Sequence, residues 1–490
     1  MIRRGPAGRP DAAGLAPVAA ALVVVLLLGP LALAGALASP LPLLLPAAIA
    51  FVGLAVYYPR YTLLTCVALV PLSTELQAGG LGMDFPLEPV LISTAGLGLL
   101  HLLLRADAVP ADALRHPVSL LLLCHLAWIG LTAYTSVDPL ISVKFLLAKL
   151  WYVLPWYVLG GLWLSGVRDV RTFVKWLAIP LFVALAYAVT RHAALGFAFD
   201  RVNEAMAPFF RNHVSYAALP SITLPFIAVG ALLYPRWSVA RYTLWGLALL
   251  MLLAVQTSYT RAAYVSIVAG IGFGFAMHWR LVRPALLLAV GVSLSFSVYI
   301  VSDNNFLRFA PDYNKTITHT DFESLVEATY KLEDISTMER VYRWVAAGYM
   351  TAERPLLGFG PGVFPHEYRG YAIETFRTYI SDNREGSGVH SYYLMTLAEQ
   401  GYVGLLVLLT LCLTALVLAE RVYHRADSRE ERLVILMAAG SLVINLSFQL
   451  INDMIETDKA GPWFFYALAL LVATDLRQRG LHRVGGAPLT

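Results

Sequence analysis

Apolar runs about twenty residues long recur along almost the whole chain, separated by short polar or basic connections. A helix needs about 20 apolar residues to cross a bilayer. On that rule about fourteen spans are predicted, starting near Leu15, Leu41, Tyr61, Glu88, Pro117, Phe145, Thr172, Val214, Tyr242, Ala262, Ala285, Gln400, Arg432 and Gly461. The Tyr61 run is short and meets Pro71. The first run, from about Leu15 to Ala38, follows Arg3 and Arg4 and ends on a cleavable-looking Ala-Leu-Ala. Its apolar length exceeds a signal core, which favours an uncleaved helix. The expected class is an all-α polytopic membrane protein of about 12–14 helices.

Basic residues sort the connections onto two sides of the membrane. With Arg3, Arg4 and Arg9 cytoplasmic, alternate connections hold Arg60, then Arg105 and Arg115, then Arg168 and Arg171. Arg236 and Arg241, Arg280 and Arg283, Arg421 to Arg432 and the tail from Arg477 follow on the same side. The outward connections are poor in Lys and Arg apart from residues 191–211 and a long loop over about 303–389. Long translocated loops escape the charge rule. Both termini are thus expected inside. The chain divides into residues 1–302 with eleven helices, the loop 303–391, and residues 392–490 with three helices and a tail.

The long loop reads as a folded cap. Ser336-Thr-Met-Glu339 predicts a capping box, opening a helix with Val341, Trp344, Val345, Gly348 and Tyr349 on one stripe. Arg354-Pro355 stops it, Gly358-Phe-Gly-Pro-Gly362 must turn tightly, and a second helix is expected near His390.

Composition agrees with the pattern. The chain is 58% hydrophobic and 14% charged, against roughly a quarter charged in soluble domains, and its mean hydropathy is +0.65. No basic tract points to nucleic acid. Cys66, Cys124 and Cys412 lie in apolar runs, so no disulfide is expected in the loop, and no Cys/His spacing suggests zinc or another metal.

Ionisable groups at membrane depth are costly and mark candidate chemistry. Arg211 precedes a span, Arg261 sits in a tight outward turn, and His390 lies where the loop re-enters the membrane. Each has a plainer reading: Arg211 snorkelling to headgroups, Arg261 as an anchor, His390 as a helix cap, Arg340 steadying the loop helix. The glycine turn has no preceding strand and is not a phosphate loop. The chemical reading is that arginine forks hold a lipid diphosphate. A neutral histidine would then take the proton of an attacking hydroxyl. Arginine charge on the leaving group makes a metal unnecessary.

The stretches Glu339-Arg-Val-Tyr-Arg-Trp344, Arg354-Pro-Leu-Leu-Gly-Phe-Gly-Pro-Gly362, Val389-His-Ser-Tyr-Tyr-Leu394 and Glu399-Gln-Gly401 resemble the O-antigen ligase and polymerase family over about 65 residues. Weaker likenesses run from Trp128 through Asp138-Pro139 to Lys144, at Thr260-Arg261 and at Arg211-Asn212. The resemblance implies a glycosyltransferase C-like fold in the bacterial inner membrane. It implies inverting transfer of a glycan from undecaprenyl diphosphate, on the periplasmic face, to a glycan or a lipid A-core hydroxyl, without a cofactor. His390 would be the base, Arg211, Arg261 and Arg340 would hold the donor, and Glu399, Tyr393, His213 and Lys144 would support them. The family usually has Asn after the histidine, where this chain has Ser391. Ligase and polymerase both stay open. The rival reading is a flippase of lipid-linked glycans, which would line its middle with charge; here Lys149 is the mild exception among uncharged mid-spans. A scaffold for polysaccharide export explains the hydrophobicity but not His390 with Arg261. Membrane lipids are the remaining expected partners.

Overall fold

The structure, a computed structural model, describes residues 45–78, 81–104, 109–309, 335–373 and 386–480. The first expected span, its signal-like flanks, Arg105, loop residues 310–334 and 374–385 and the tail beyond 480 lie outside the described residues. The chain falls into two units, Met1–Thr62 and Leu63–Thr490. In the first, the helix Leu45–Tyr57 lies within the span expected from Leu41.

Helices of fourteen or more residues are numbered here: α1 Leu87–Leu104, α2 Pro117–Tyr134, α3 Pro139–Tyr152, α4 Val167–Ala194, α5 His213–Ala228 and α6 Val239–Thr257. They continue with α7 Arg261–His278, α8 Val282–Val301, α9 Ile335–Glu353, α10 Tyr392–Arg425, α11 Arg429–Phe448 and α12 Gly461–Gln478. Among the described residues, nine helical segments are long and apolar enough to cross a membrane. The helices α7 and α12 have the length, 18 residues each, but less apolar content. For α12 the reason is visible: it is buried from Gly461 to Leu476, so the protein rather than lipid surrounds it, and its last turns carry Asp475 and Arg477.

Local chemistry sets several helix starts earlier than hydropathy alone predicts. The segment expected near Phe145 begins at Pro139, because Asp138 Oδ1 accepts the amides of Leu140 and Ile141 and proline suits the first helical position. Residues Val153–Leu159 widen into a π-helix around Pro155, whose missing N–H cannot close an α-turn. An antiparallel hairpin, β1 Thr74–Ala78 with β2 Leu81–Phe85, precedes α1, and pairs Thr74 with Phe85.

Long-range contacts gather the helix ends into two groups. At one end His116 Nε2 lies 3.2 Å from Asp475, Arg425 pairs with Asp475, Glu420 accepts the Val282 amide at 3.0 Å, and Arg171 pairs with Glu430. At the other end, Ser136 donates to the Phe359 carbonyl and Thr260 to the His213 carbonyl. Below that second end a buried polar knot ties α3 to α10: Lys149 Nζ donates to the Tyr392 hydroxyl at 2.6 Å and pairs with Glu456. Tyr392 donates to the same carboxylate at 2.7 Å. Removing one partner of a buried pair leaves the other charge uncompensated, at about 3–5 kcal/mol. Lys149→Met is therefore expected to lower the thermal unfolding temperature in detergent by several degrees; an unchanged midpoint would mean that Glu456 finds another partner.

Candidate active site

The glycine turn docks on a break in α10. Gly401 has φ +69° inside that helix, which opens the backbone there. The turn residues Gly358, Gly360 and Gly362 all have positive φ, a region glycine enters without a Cβ clash. The Gly360 amide donates to the Glu399 carbonyl at 2.8 Å, and the Tyr402 amide to the Pro355 carbonyl at 2.8 Å. The buried Glu399 carboxylate accepts the amides of Gly362 and Phe364 at 2.8 and 3.1 Å. The start of α3 clasps the other side, with Ser142 donating to the Pro361 carbonyl at 2.8 Å. Trp128 Nε1 donates to the carbonyl of Gln400 at 2.9 Å. Sequence-distant motifs thus form one rigid ledge at the mouth of α10.

The loop helix α9 lies on that ledge and turns part of the expected stripe inward. Val341, Tyr342, Arg343, Ala346, Ala347 and Met350 are buried, Trp344 and Val345 are half-buried against the core, and Gly348 and Tyr349 are exposed. A charged residue shares the core-facing side. Arg343, with its side chain only 3% exposed, pairs with Glu339 one turn away at 3.1 Å. It donates to the carbonyls of Ser387 and Gly388 at 2.6 and 2.9 Å and lies over the Tyr368 ring. The expected capping box is also displaced. The helix already includes Ile335, ahead of Ser336, and Glu339 turns to Arg343.

His390 follows directly. Its φ of +57° is unusual for a residue with a side chain. Arg343 fixes the carbonyls of Ser387 and Gly388 just upstream, and the Asp453 carboxylate accepts the His390 amide at 3.2 Å. Gly388 permits this approach, since a Cβ there would stand 1.9 Å from Asp453 Oδ2. The imidazole itself makes no hydrogen bond among the described residues. Burial, then the positive charges of Arg340 and Arg343, hold its pKa down at about 3, so it is neutral across the physiological range. Burial raises the Asp453 carboxyl above its usual range, against the opposing pull of the His390 amide and Arg343.

The other expected residues divide into those near His390 and those apart from it. The charge of Arg340 reaches both the His390 and His213 imidazoles. His213 opens α5 behind the capping residue Asn212, its amide held by Asn203 at 2.9 Å. Thr260, the residue before Arg261, donates to the His213 carbonyl at 3.2 Å, so Arg261 begins α7 beside this cluster. Arg211, 62% exposed, pairs with Glu75 of β1 at 2.6 Å. Its charge acts on Asp84 of β2, whose carboxyl burial and Asp458 hold above the usual range. Tyr393 donates to the Leu446 carbonyl at 3.1 Å and ties α10 to α11. Lys144 is exposed on α3, while the buried lysine of that helix is Lys149.

Sequence reasoning missed Arg343, Asp453 and Glu456. The signal available was four charged residues, Asp453, Glu456, Asp458 and Lys459, in a short outward connection between apolar runs, where each ionisable group needs a partner. Among the described residues no group of three His, Cys, Asp or Glu side chains is arranged to hold a metal ion.

Residues 246–409 match a family model described as O-antigen ligase. The matched segment contains Arg261, Arg340, Arg343, His390, Tyr393 and Glu399; Lys144, Arg211, His213 and Asp453 lie outside it. No curated protein matches the chain.

Proposed function

We propose, from the O-antigen ligase domain that residues 246–409 carry, that the protein is a membrane glycosyltransferase of that family. It transfers a glycan from undecaprenyl diphosphate to a hydroxyl on the periplasmic face, within a glycosyltransferase C-like fold. The observation that carries the reading is the cluster at one end of the bundle. A neutral imidazole with no hydrogen bond among the described residues stands in the field of Arg340 and Arg343, and Arg340 also acts on His213, which the turn before Arg261 contacts.

In the reaction the acceptor oxygen attacks the anomeric carbon while His390 accepts its proton. The bond from that carbon to the diphosphate breaks, and the electron pair leaves on the diphosphate, inverting the centre. Arg261 and Arg340 hold the negative charge that develops there, where preorganised donors act most strongly. Arg211 reaches the donor by leaving Glu75. Donor binding also tunes the base. A diphosphate beside Arg340 offsets the charge that repels a proton from His390, so the imidazole becomes a stronger base once the donor is bound. Energy comes from the sugar–diphosphate bond, with no cofactor.

The test is the purified, reconstituted protein with undecaprenyl-diphosphate glycan, with and without a lipid A-core acceptor. A ladder of lengthening products identifies a polymerase, one glycan per acceptor a ligase. Movement of intact donor between leaflets without a new glycosidic bond would replace this reading with the flippase. Within the same assay Arg261→Lys is expected to cost on the order of 10²-fold, because an ammonium cannot form the bidentate fork. A fully active lysine variant would reduce the clamp to a point charge.

A further inference from the structure

At the end of the bundle opposite His390, a cavity of about 260 Å³ opens beside the start of α2 and the last turns of α10. Tyr392 and Arg421 are 29 positions apart along α10, roughly 40 Å at 1.5 Å per residue, so this cavity is separate from the proposed active site.

Two features of its lining are notable together. Leu413, Thr414, Val417 and Arg421 follow one another at helical spacing on α10, so an apolar stripe leads along the helix to a guanidinium. The charge at its end is unbalanced. Arg425, Arg479 and His116 all converge on the one carboxylate of Asp475. His116 Nδ1 accepts the Val118 amide at 3.2 Å, so its proton sits on Nε2 and is donated to Asp475. Arg421 is exposed at the cavity and has no acidic partner among the described residues. Arg421 therefore adds a guanidinium at the cavity beyond the two that already share Asp475.

We propose that this cavity is a binding site for an anionic phospholipid, its phosphate held by Arg421 and Arg479 and an acyl chain lying along the Leu413–Val417 stripe. Charge chooses the occupant. A basic pocket between helices at a membrane boundary takes acidic headgroups, and a zwitterionic lipid brings its own cation. The chain's own residues 481–490 bring His482 and Arg483 and no acidic side chain, the wrong sign for the site. The stripe adds the second requirement, a tail, which a free phosphate lacks.

The test counts lipid molecules retained by the intact, detergent-purified protein in native mass spectrometry. Phosphatidylglycerol and phosphatidylcholine of identical acyl chains are added in turn. One tightly retained phosphatidylglycerol is expected, without a phosphatidylcholine counterpart. Arg421→Gln should weaken that retention about fivefold, the worth of one basic residue near an anionic headgroup. Arg236→Gln, an exposed arginine outside the cavity lining, should leave it unchanged and separates a site from general surface charge. Glycerol 3-phosphate in excess should not displace the lipid. Equal retention by Arg421→Gln, equal retention of phosphatidylcholine, or displacement by glycerol 3-phosphate would each overturn the proposal. No glycan transfer is measured, so the outcome is independent of the proposed reaction.

Discussion

Replacing His390 with alanine is expected to lower glycan transfer by on the order of 10²–10⁴-fold, the usual contribution of a positioned base, while the protein still inserts and folds. The imidazole makes no hydrogen bond among the described residues, so its loss leaves no broken network. A purified His390→Ala protein with near-normal transfer would remove the base assignment. The pH dependence adds a second, independent readout. An ordinary histidine titrates near 6.5, whereas burial and then Arg340 and Arg343 hold His390 at about 3. The proton-accepting form therefore persists as pH falls from 8 to 5, and His390 should impose no inflection on kcat/KM in that window. Because donor binding neutralises part of the arginine field, the inflection in kcat should lie above that in kcat/KM. An inflection of kcat/KM near 6.5 would contradict the arginine field. Stability follows the same group. His390 is neutral when folded and takes a proton when unfolded, so stability is lost as pH falls below 6.5 toward 3. His390→Ala should lack that component.

What the sequence made legible was local. Every expected helix start within the described residues has a helix beginning at most eight positions away, because hydropathy and capping act within one segment. The helix start just after His390 and the tight glycine turn were legible for the same reason. Three things were not. The partnership of Arg343 with Ser387 and Gly388 spans 44 and 45 positions, and nothing in a linear pattern announces it. The buried face of α9 was legible only in part: Val341 of the stripe is buried, while Arg343, a paired charge, holds a core position that periodicity assigns to apolar residues. Asp453 looked like a loop residue, since its role comes from meeting a backbone amide 63 positions earlier. The hairpin was readable and was overlooked: two five-residue strands flank Gly79-Gly80, a pattern that signals a tight β-turn. It matters because it brings Glu75 to Arg211.

Gly401→Ala is expected to have the largest effect on folding, and through folding on transfer. Two separate costs meet at this position. The backbone has φ +69° and ψ −174°, a region essentially confined to glycine, where an added Cβ costs roughly 1–3 kcal/mol. That Cβ would also stand 2.2 Å from the carbonyl oxygen of Leu356 and 2.6 Å from that of Pro355. Both obstacles are backbone, so no side chain can rotate aside; the chain before the glycine turn must move away from α10. Movement there breaks the Tyr402 bond to Pro355 and draws the turn off the Glu399 carboxylate, leaving a buried acceptor without its amides. An unsatisfied buried group of that kind costs about 1–3 kcal/mol, more when charged. The sum is on the order of 2–6 kcal/mol, reaching into the exceptional tail of single substitutions. The variant should give less folded protein in the membrane and a markedly lower unfolding temperature in detergent. Glu399→Gln separates the two costs. It keeps an acceptor for one amide and leaves the Gly401 backbone unstrained, so it should destabilise less and retain measurable transfer. A Gly401→Ala protein as stable and active as its parent would show that the ledge under His390 tolerates displacement, and that the geometry around the base is set by Arg343 and Asp453 alone.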